Sequence, residues 1–212
     1  VLLVSAFTLV IAVRLLPYHS VLNAGDVVLS SNDPYYYRVL VEEAVRQSNG
    51  PLDVGTLSNA ELMDADGEPL LVAVLWFVSS VLGGESTTGA VFAWYPVVAG
   101  TTSAVFVYLT SQKLSNNYLV GVAAVGFLAV TPVHAFRTGF GFADHHALDY
   151  VWLSLTALAL VAQTTHEQDG IDPFWNGTLA IAIAAQVLTW DNSPLVLLPL
   201  GMYALVRVLS TV

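Results

Sequence analysis

The 212-residue chain is 56% hydrophobic and only 10% charged, with a mean hydropathy of +0.68, where an ordinary soluble domain is ~25% charged; a soluble globular protein is excluded. A net charge of −10 argues against a nucleic-acid partner, and the lack of cysteine excludes disulfides and thiolate metal sites, so that any metal would be held by oxygen and imidazole. The acidic residues fall almost wholly in loops, the pattern of a solvated surface suited to high external salt or bound cations.

Windows free of charged residues recur at 69–84, 86–112, 114–136, 150–166, 173–190 and 192–206, several of them reaching the ~20 residues that cross a bilayer as helix. The expected fold is all-α, a polytopic membrane helical bundle. Its first span, VLLVSAFTLVIAVRLLPY, begins abruptly at Val1, as a truncated span would, and ends at Arg14 and Pro17; Arg14 is expected to snorkel to the interface and Pro17 to close the helix.

A long polar stretch follows, residues 18–68, rich in Asp, Asn, Gly and Ser, the kind of loop that carries function. Within it SSNDPYYYRVLVEEAVRQSNG reads as a short helix, with Asp33 as N-cap, Pro34 at N1, apolar positions at Val39, Leu40 and Val45, and a stop at Asn49-Gly50-Pro51. A capping carboxylate keeps a second oxygen that can reach a cation, so the two roles of Asp33 are compatible. From Asp53 to Glu68 there are five acidic residues and no basic one, and the sequence assigns them no role.

The segment PLLVAVLWFVSSVLGG, 69–84, either crosses as a short span or lies in the interface. Lying flat, it leaves spans at 1–16, 86–112, 118–136, 146–164, 173–190 and 193–209 and an external loop of about 18–85. Asp33, Asp144 and Asp191 then share one side, and Lys113 and Arg207 lie on the other, as the positive-inside rule prefers for the cytoplasm. The flat arrangement is therefore expected. Trp94-Tyr95-Pro96 predicts a kink in the span at 86–112, and Ala99, Gly100, Thr101 and Ser103 permit close helix contacts.

The stretch FRTGFGFADHHALDY, 136–150, sets Arg137, Asp144, His145, His146 and Asp149 between two charge-free runs. Unpaired polar groups at the edge of hydrocarbon cost about 2 to 7 kcal/mol each unless they face water or a ligand. Asp144 and His146, two apart, point the same way only on an extended segment, so a helix is expected to start just after Asp144. Two carboxylates, one on each loop, with an imidazole make an O/N donor set suited to Mn²⁺, then Mg²⁺, with zinc less expected. His145 and Asp149 are expected to orient the groups that bind, and Arg137 to pair with a phosphate or with Asp144.

With SNDPYYYR on the preceding loop, RTGFGFADHH after a span resembles the catalytic subunit of oligosaccharyltransferase in its archaeal form. That resemblance, over nearly the whole chain, implies a membrane fold of the C class of glycosyltransferases in a cell membrane, with the active face extracellular. It implies transfer of a lipid-linked oligosaccharide, on dolichyl phosphate or pyrophosphate, to Asn of Asn-x-Ser/Thr sequons in an acceptor polypeptide. It also implies Asp33, Asp144 and His146 as metal ligands, Asp33 as holder of the acceptor amide, and Arg137 as the basic residue before them. The family's later external loop and its hydrophilic C-terminal domain are not represented, so residues 1–212 read as an amino-terminal transmembrane portion, incomplete for catalysis alone. Two rivals stand: another lipid-phosphate-sugar-dependent glycosyltransferase, and a divalent-cation transporter, which should carry Asp and His in mid-span rather than at span ends.

Overall fold

The computed structural model describes residues 1–23, 25–59, 68–165 and 172–209. The chain begins with helix α1 (Leu2–Arg14), a turn of helix α2 (Tyr18–Val21), and an antiparallel hairpin, β1 (Leu22–Asn23) and β2 (Asp26–Val27), that the apolar pattern did not signal. Helices α3 (Asn32–Gln47), α4 (Val54–Leu57) and α5 (Pro69–Leu82) complete the first loop region. Then come α6 (Glu85–Ser115), α7 (Tyr118–Val130), α8 (Pro132–Arg137), α9 (His145–Thr164), α10 (Pro173–Thr189) and α11 (Pro194–Leu209). Among the described residues, the helices over Leu2–Val21, Glu85–Ser115 and His145–Thr164 are long and apolar enough to cross a membrane. The acidic loop with His166 and the acidic residues at 61–66 lie outside the described residues.

The span expected at 118–136 is two helices. Thr131 leaves helical geometry at φ −65°, ψ 114°, because a residue before proline is driven out of the helical region and Pro132 then opens α8 from its N1 side. α6 packs against α7 and α9, α1 against α7, and α9 against α10. Two buried polar links join the last pair, Gln186 Nε2 to Asp149 Oδ1 at 2.9 Å and Trp152 Nε1 to Thr189 Oγ1 at 3.1 Å.

The first loop region has a core of its own. α3 buries Pro34, Tyr37, Val41 and Ala44, spaced three, four and three apart as one helical stripe, with Leu40 and Val45 at its edge and Val39 exposed. Against them pack Leu71, Val72, Leu75 and Trp76 of α5 and Val91 and Phe92 of α6, each fully buried apolar side chain contributing ~1.5–3 kcal/mol. α5, 14 residues long, covers ~21 Å at 1.5 Å per residue, short of a bilayer core. Its start meets His145 through Glu68, 2.9 Å away, and Gly83-Gly84 leads from its end into α6.

Arg14 does not snorkel. It is fully buried, its Nη1 donating to Val10 O at 2.8 Å and its Nη2 meeting His134 Nδ1 at 2.6 Å. Because a guanidinium only donates, His134 Nδ1 is the acceptor and Nε2 carries the proton; Nε2 then donates to Ser103 Oγ at 3.0 Å, which donates to Gly100 O at 2.9 Å. The network fastens α1, α6 and α8 together where an interfacial position was expected, since α8 brings an acceptor to Arg14 inside the bundle. Gly100 is what lets the guanidinium in: a Cβ there would lie 2.6 Å from Arg14 Nε and from Thr138 Cβ.

The second loop is fixed to the first at Gly141. Its N–H donates to Ala93 O of α6 at 2.9 Å and its carbonyl accepts from Ser30 N at 3.0 Å. Its φ of +82° and a Cβ that would fall 2.6 Å from Val21 Cγ2 restrict the position to glycine.

Two stability predictions follow from these contacts. His134→Ala should lower the thermal unfolding midpoint in detergent most, at a cost of about 3–5 kcal/mol for a buried charge without its partner, whereas Ser103→Ala should cost about 1 kcal/mol. Gly141→Ala should cost about 2 kcal/mol or more through backbone strain and contact with Val21, and a Val21→Ala background should recover only the contact part.

Candidate functional site

Asp144 is the N-cap position of α9, with extended φ −129° and ψ 162°, the geometry the Asp-x-His spacing requires. Its side chain makes no cap hydrogen bond. The carboxylate turns away from the helix, Oδ2 accepting from Arg137 Nη1 at 3.1 Å and Oδ1 lying 2.7 Å from His145 Nδ1. Tyr95 Oη of α6 donates to the Asp144 carbonyl at 3.2 Å and so fixes the backbone as well. Arg137 is held from its other side by the Phe142 ring, 5.1 Å from Cζ, a cation–π contact. Burial by itself would raise the pKa of Asp144, but His145, and beyond it His146, outweigh burial and hold it below the ordinary carboxylate value.

His145 is the crowded residue of the group. Its Nδ1 is 2.9 Å from Glu68 Oε1 as well as 2.7 Å from Asp144 Oδ1, and its ring is stacked on Trp190, centroids 6.0 Å apart. Neither close approach is aligned as a hydrogen bond, so Asp144 Oδ1 and both ring nitrogens of His145 are buried without a hydrogen-bond partner. Orphaned oxygen and nitrogen donors converging at such distances fit a cation between them. His146 Nδ1 and His145 Nε2 are 3.6 and 4.0 Å from Asp149 Oδ2, and these three side chains can bring ligand atoms within 4.8 Å of one another. Asp149 also accepts from Gln186, as a carboxylate that orients an imidazole does.

Asp33 is not the N-cap. α3 starts two residues earlier than that, with Ser31 extended at φ −153° as N-cap and no side-chain capping bond; proline is tolerated within a first turn whose N–H groups are unpaired anyway. Asp33 is exposed, one turn before Tyr37 and on the same side of the helix. Tyr37 donates to Glu68 Oε2. Burial, then that hydrogen bond and the charges of Glu68, Asp144 and Asp33 push its pKa up, so Tyr37 remains a hydroxyl donor. The end of the fold that carries Asp33 is thus the end that carries Asp144, His145, His146 and Trp190, while Asp33 makes no ion pair among the described residues.

Glu68, Tyr37, Tyr95, Gln186 and the Trp190 stack were not found from sequence. Glu68 is only the acidic residue before Pro69 at a helix start, and nothing in its spacing relates it to a histidine 77 positions later.

A family model described as oligosaccharyl transferase STT3, N-terminal, matches residues 3–211. Dolichyl-phosphooligosaccharide-protein glycotransferase 1 of Archaeoglobus fulgidus is 28% identical over 197 residues, 92% of this chain and 31% of that protein. Glycotransferase 2 of the same organism is 28% identical over 164 residues, 77% of this chain and 26% of its own length. The crystal structure of the A. fulgidus oligosaccharyltransferase complexed with Zn and sulfate superposes with a TM-score of 0.71 at 23% identity, over 91% of this chain and 25% of that one. The archaeal enzyme AglB from the same organism, in complex with an inhibitory peptide and a dolichol-phosphate, gives 0.68 at 23% identity, over 91% and 23% of the two chains. These likenesses between structures are likenesses of fold, and the chain spans about a third or less of the relatives' length. The expected membrane helical bundle is the fold these structures share, and the three helices among the described residues that are long and apolar enough to cross a bilayer support a multi-pass membrane protein. From residue 3 to residue 211, the chain belongs to the oligosaccharyl transferase STT3 family, in its N-terminal region.

Proposed function

We propose that this chain carries the metal-binding half of a dolichyl-linked oligosaccharide–protein glycosyltransferase, acting at the extracellular face of a cell membrane on Asn in Asn-x-Ser/Thr sequons. Family membership and the names of the relatives support the reaction class. The inhibitory peptide and dolichol-phosphate in a solved relative support an acceptor polypeptide and a lipid-linked donor. One observation carries the reading here: a buried carboxylate, Asp144, whose Oδ1 is aimed at His145 without a hydrogen bond, on the end of the fold that also presents Asp33. The rival transporter would need such groups in mid-helix, and Asp144 stands at the start of α9.

Asp33, Asp144 and His146 would hold the cation, and the two carboxylates with one imidazole suit Mn²⁺ or Mg²⁺, although the ion in one solved relative is Zn. The cation, when bound, supplies Lewis-acid neutralisation of the charge that grows on the departing lipid phosphate or pyrophosphate. Asp33, exposed on the first turn of α3, accepts hydrogen bonds from the acceptor amide. Arg137 keeps Asp144 turned away from its own helix, and Asp149 orients the His146 ring from 3.6 Å. Position at the bilayer surface suits a donor whose phosphate is tethered to membrane lipid.

The test is glycopeptide formation by the full-length protein from a lipid-linked oligosaccharide and a sequon peptide. Asp33→Ala, Asp144→Ala and His146→Ala are each expected to cut turnover by about 100-fold or more. Mn²⁺ added after chelation should restore the unmodified protein alone. Turnover untouched by all three substitutions would end the reading.

A further inference from the structure

Glu68 has no part in the reading above, yet it is among the most enclosed carboxylates of the molecule. Its side chain is 6% exposed, and both of its oxygens are engaged: Oε2 accepts from Tyr37 Oη, and Oε1 lies 2.9 Å from His145 Nδ1. Tyr37 comes from α3 and Asp144 from the second loop, so Glu68 stands between the two loops that the cation is to join.

Glu68, Asp144 and Asp149 have side chains 6, 2 and 11% exposed, and the permanent cation described beside them is Arg137, paired with Asp144. Buried carboxylates need a counter-charge or a full set of hydrogen bonds. Tyr37 satisfies one oxygen of Glu68, and Gln186 one oxygen of Asp149. Asp144 Oδ1, on a side chain all but 2% buried, has none. It and Glu68 Oε1 both approach His145 Nδ1, at 2.7 and 2.9 Å, out of line for hydrogen bonds, as donors do that face a common point.

Resting on the metal reading given above, we propose that Glu68 is a further carboxylate of the cation site, held in place by Tyr37, with its Oε1 and Asp144 Oδ1 converging on the bound ion. Metal binding then draws on the end of the first loop as well as on its helix α3, and the two loops close on the ion from three directions.

The test is Mn²⁺ binding to the detergent-solubilised full-length protein, followed by titration calorimetry and by the EPR spectrum of the bound ion, with no donor or acceptor present. Glu68→Gln, which keeps size and an acceptor oxygen for Tyr37, should weaken Mn²⁺ binding about 10- to 100-fold and alter the spectrum. Glu68→Asp should regain part of the loss, and Tyr37→Phe should give a smaller loss of the same sign. Glu68→Gln and Tyr37→Phe proteins that bind Mn²⁺ as the unmodified protein does, whatever their unfolding midpoints, overturn the proposal; if Glu68→Gln does not fold, Tyr37→Phe decides. Asp144→Ala separates the two levels. Loss of Mn²⁺ in Asp144→Ala beside retention in the Glu68 and Tyr37 variants removes only Glu68 from the site, whereas retention in Asp144→Ala removes the metal reading and this inference with it.

Discussion

Three parts of the chain meet at the peptide units of Gly141. Its N–H ties the second loop to α6 at Ala93 and its carbonyl ties it to the first loop at Ser30, so the relative placement of the two loops is set by backbone hydrogen bonds before any side chain of the site is considered. In α6 it is the Ala93 carbonyl that receives the Gly141 N–H, at 2.9 Å. Arg14 acts from below in the same sense. Its own carbonyl accepts from Phe140 N at 2.9 Å, while its guanidinium anchors His134 of α8, so the loop that bears Arg137 and Asp144 is clamped at both ends.

This clamping bears on why the Asp144 carboxylate is not used as a helix cap. A carboxylate at a helix N-cap ordinarily spends an oxygen on the first free N–H groups, and it is also favoured there by the helix dipole. At Asp144 the second effect operates without the first. The backbone is held by Tyr95 and the loop contacts, the helix end receives a negative charge, and the two carboxylate oxygens go one to Arg137 and one to His145.

Much of this was legible in the residues and some could not be. Charge-free windows located the long helices because hydrocarbon tolerates nothing else, and Asp144-x-His146 called for an extended residue followed by a helix start because of side-chain direction alone. Arg14 was misjudged because a lone arginine at the end of an apolar run reads as interfacial; only packing brings His134, 120 positions on, to 2.6 Å. The start of α3 lies two residues before the one expected, because Ser31 and Asp33 are both acceptable starting residues and local sequence does not choose between them. Glu68 was silent for a different reason. Its significance is a tertiary pairing, and a run of acidic residues in a polar loop looks the same whether one of them is enclosed or all are solvated.

The small core beneath α3 and α5 is separate from the clusters packed among the longer helices. Leu71, Leu75, Trp76 and Phe92 pack with Tyr37 and Val41, whereas Val10, Ala104, Val125 and Ala129 form a separate cluster among α1, α6 and α7. Tyr37 and Glu68 are borne by the former, and Asp144 sits on the seam, with Ala143 beside it counted among that former core. Damage to Trp76 would therefore be felt as a displacement of Tyr37 and Glu68 relative to Asp144, in a protein whose longer helices remained in register.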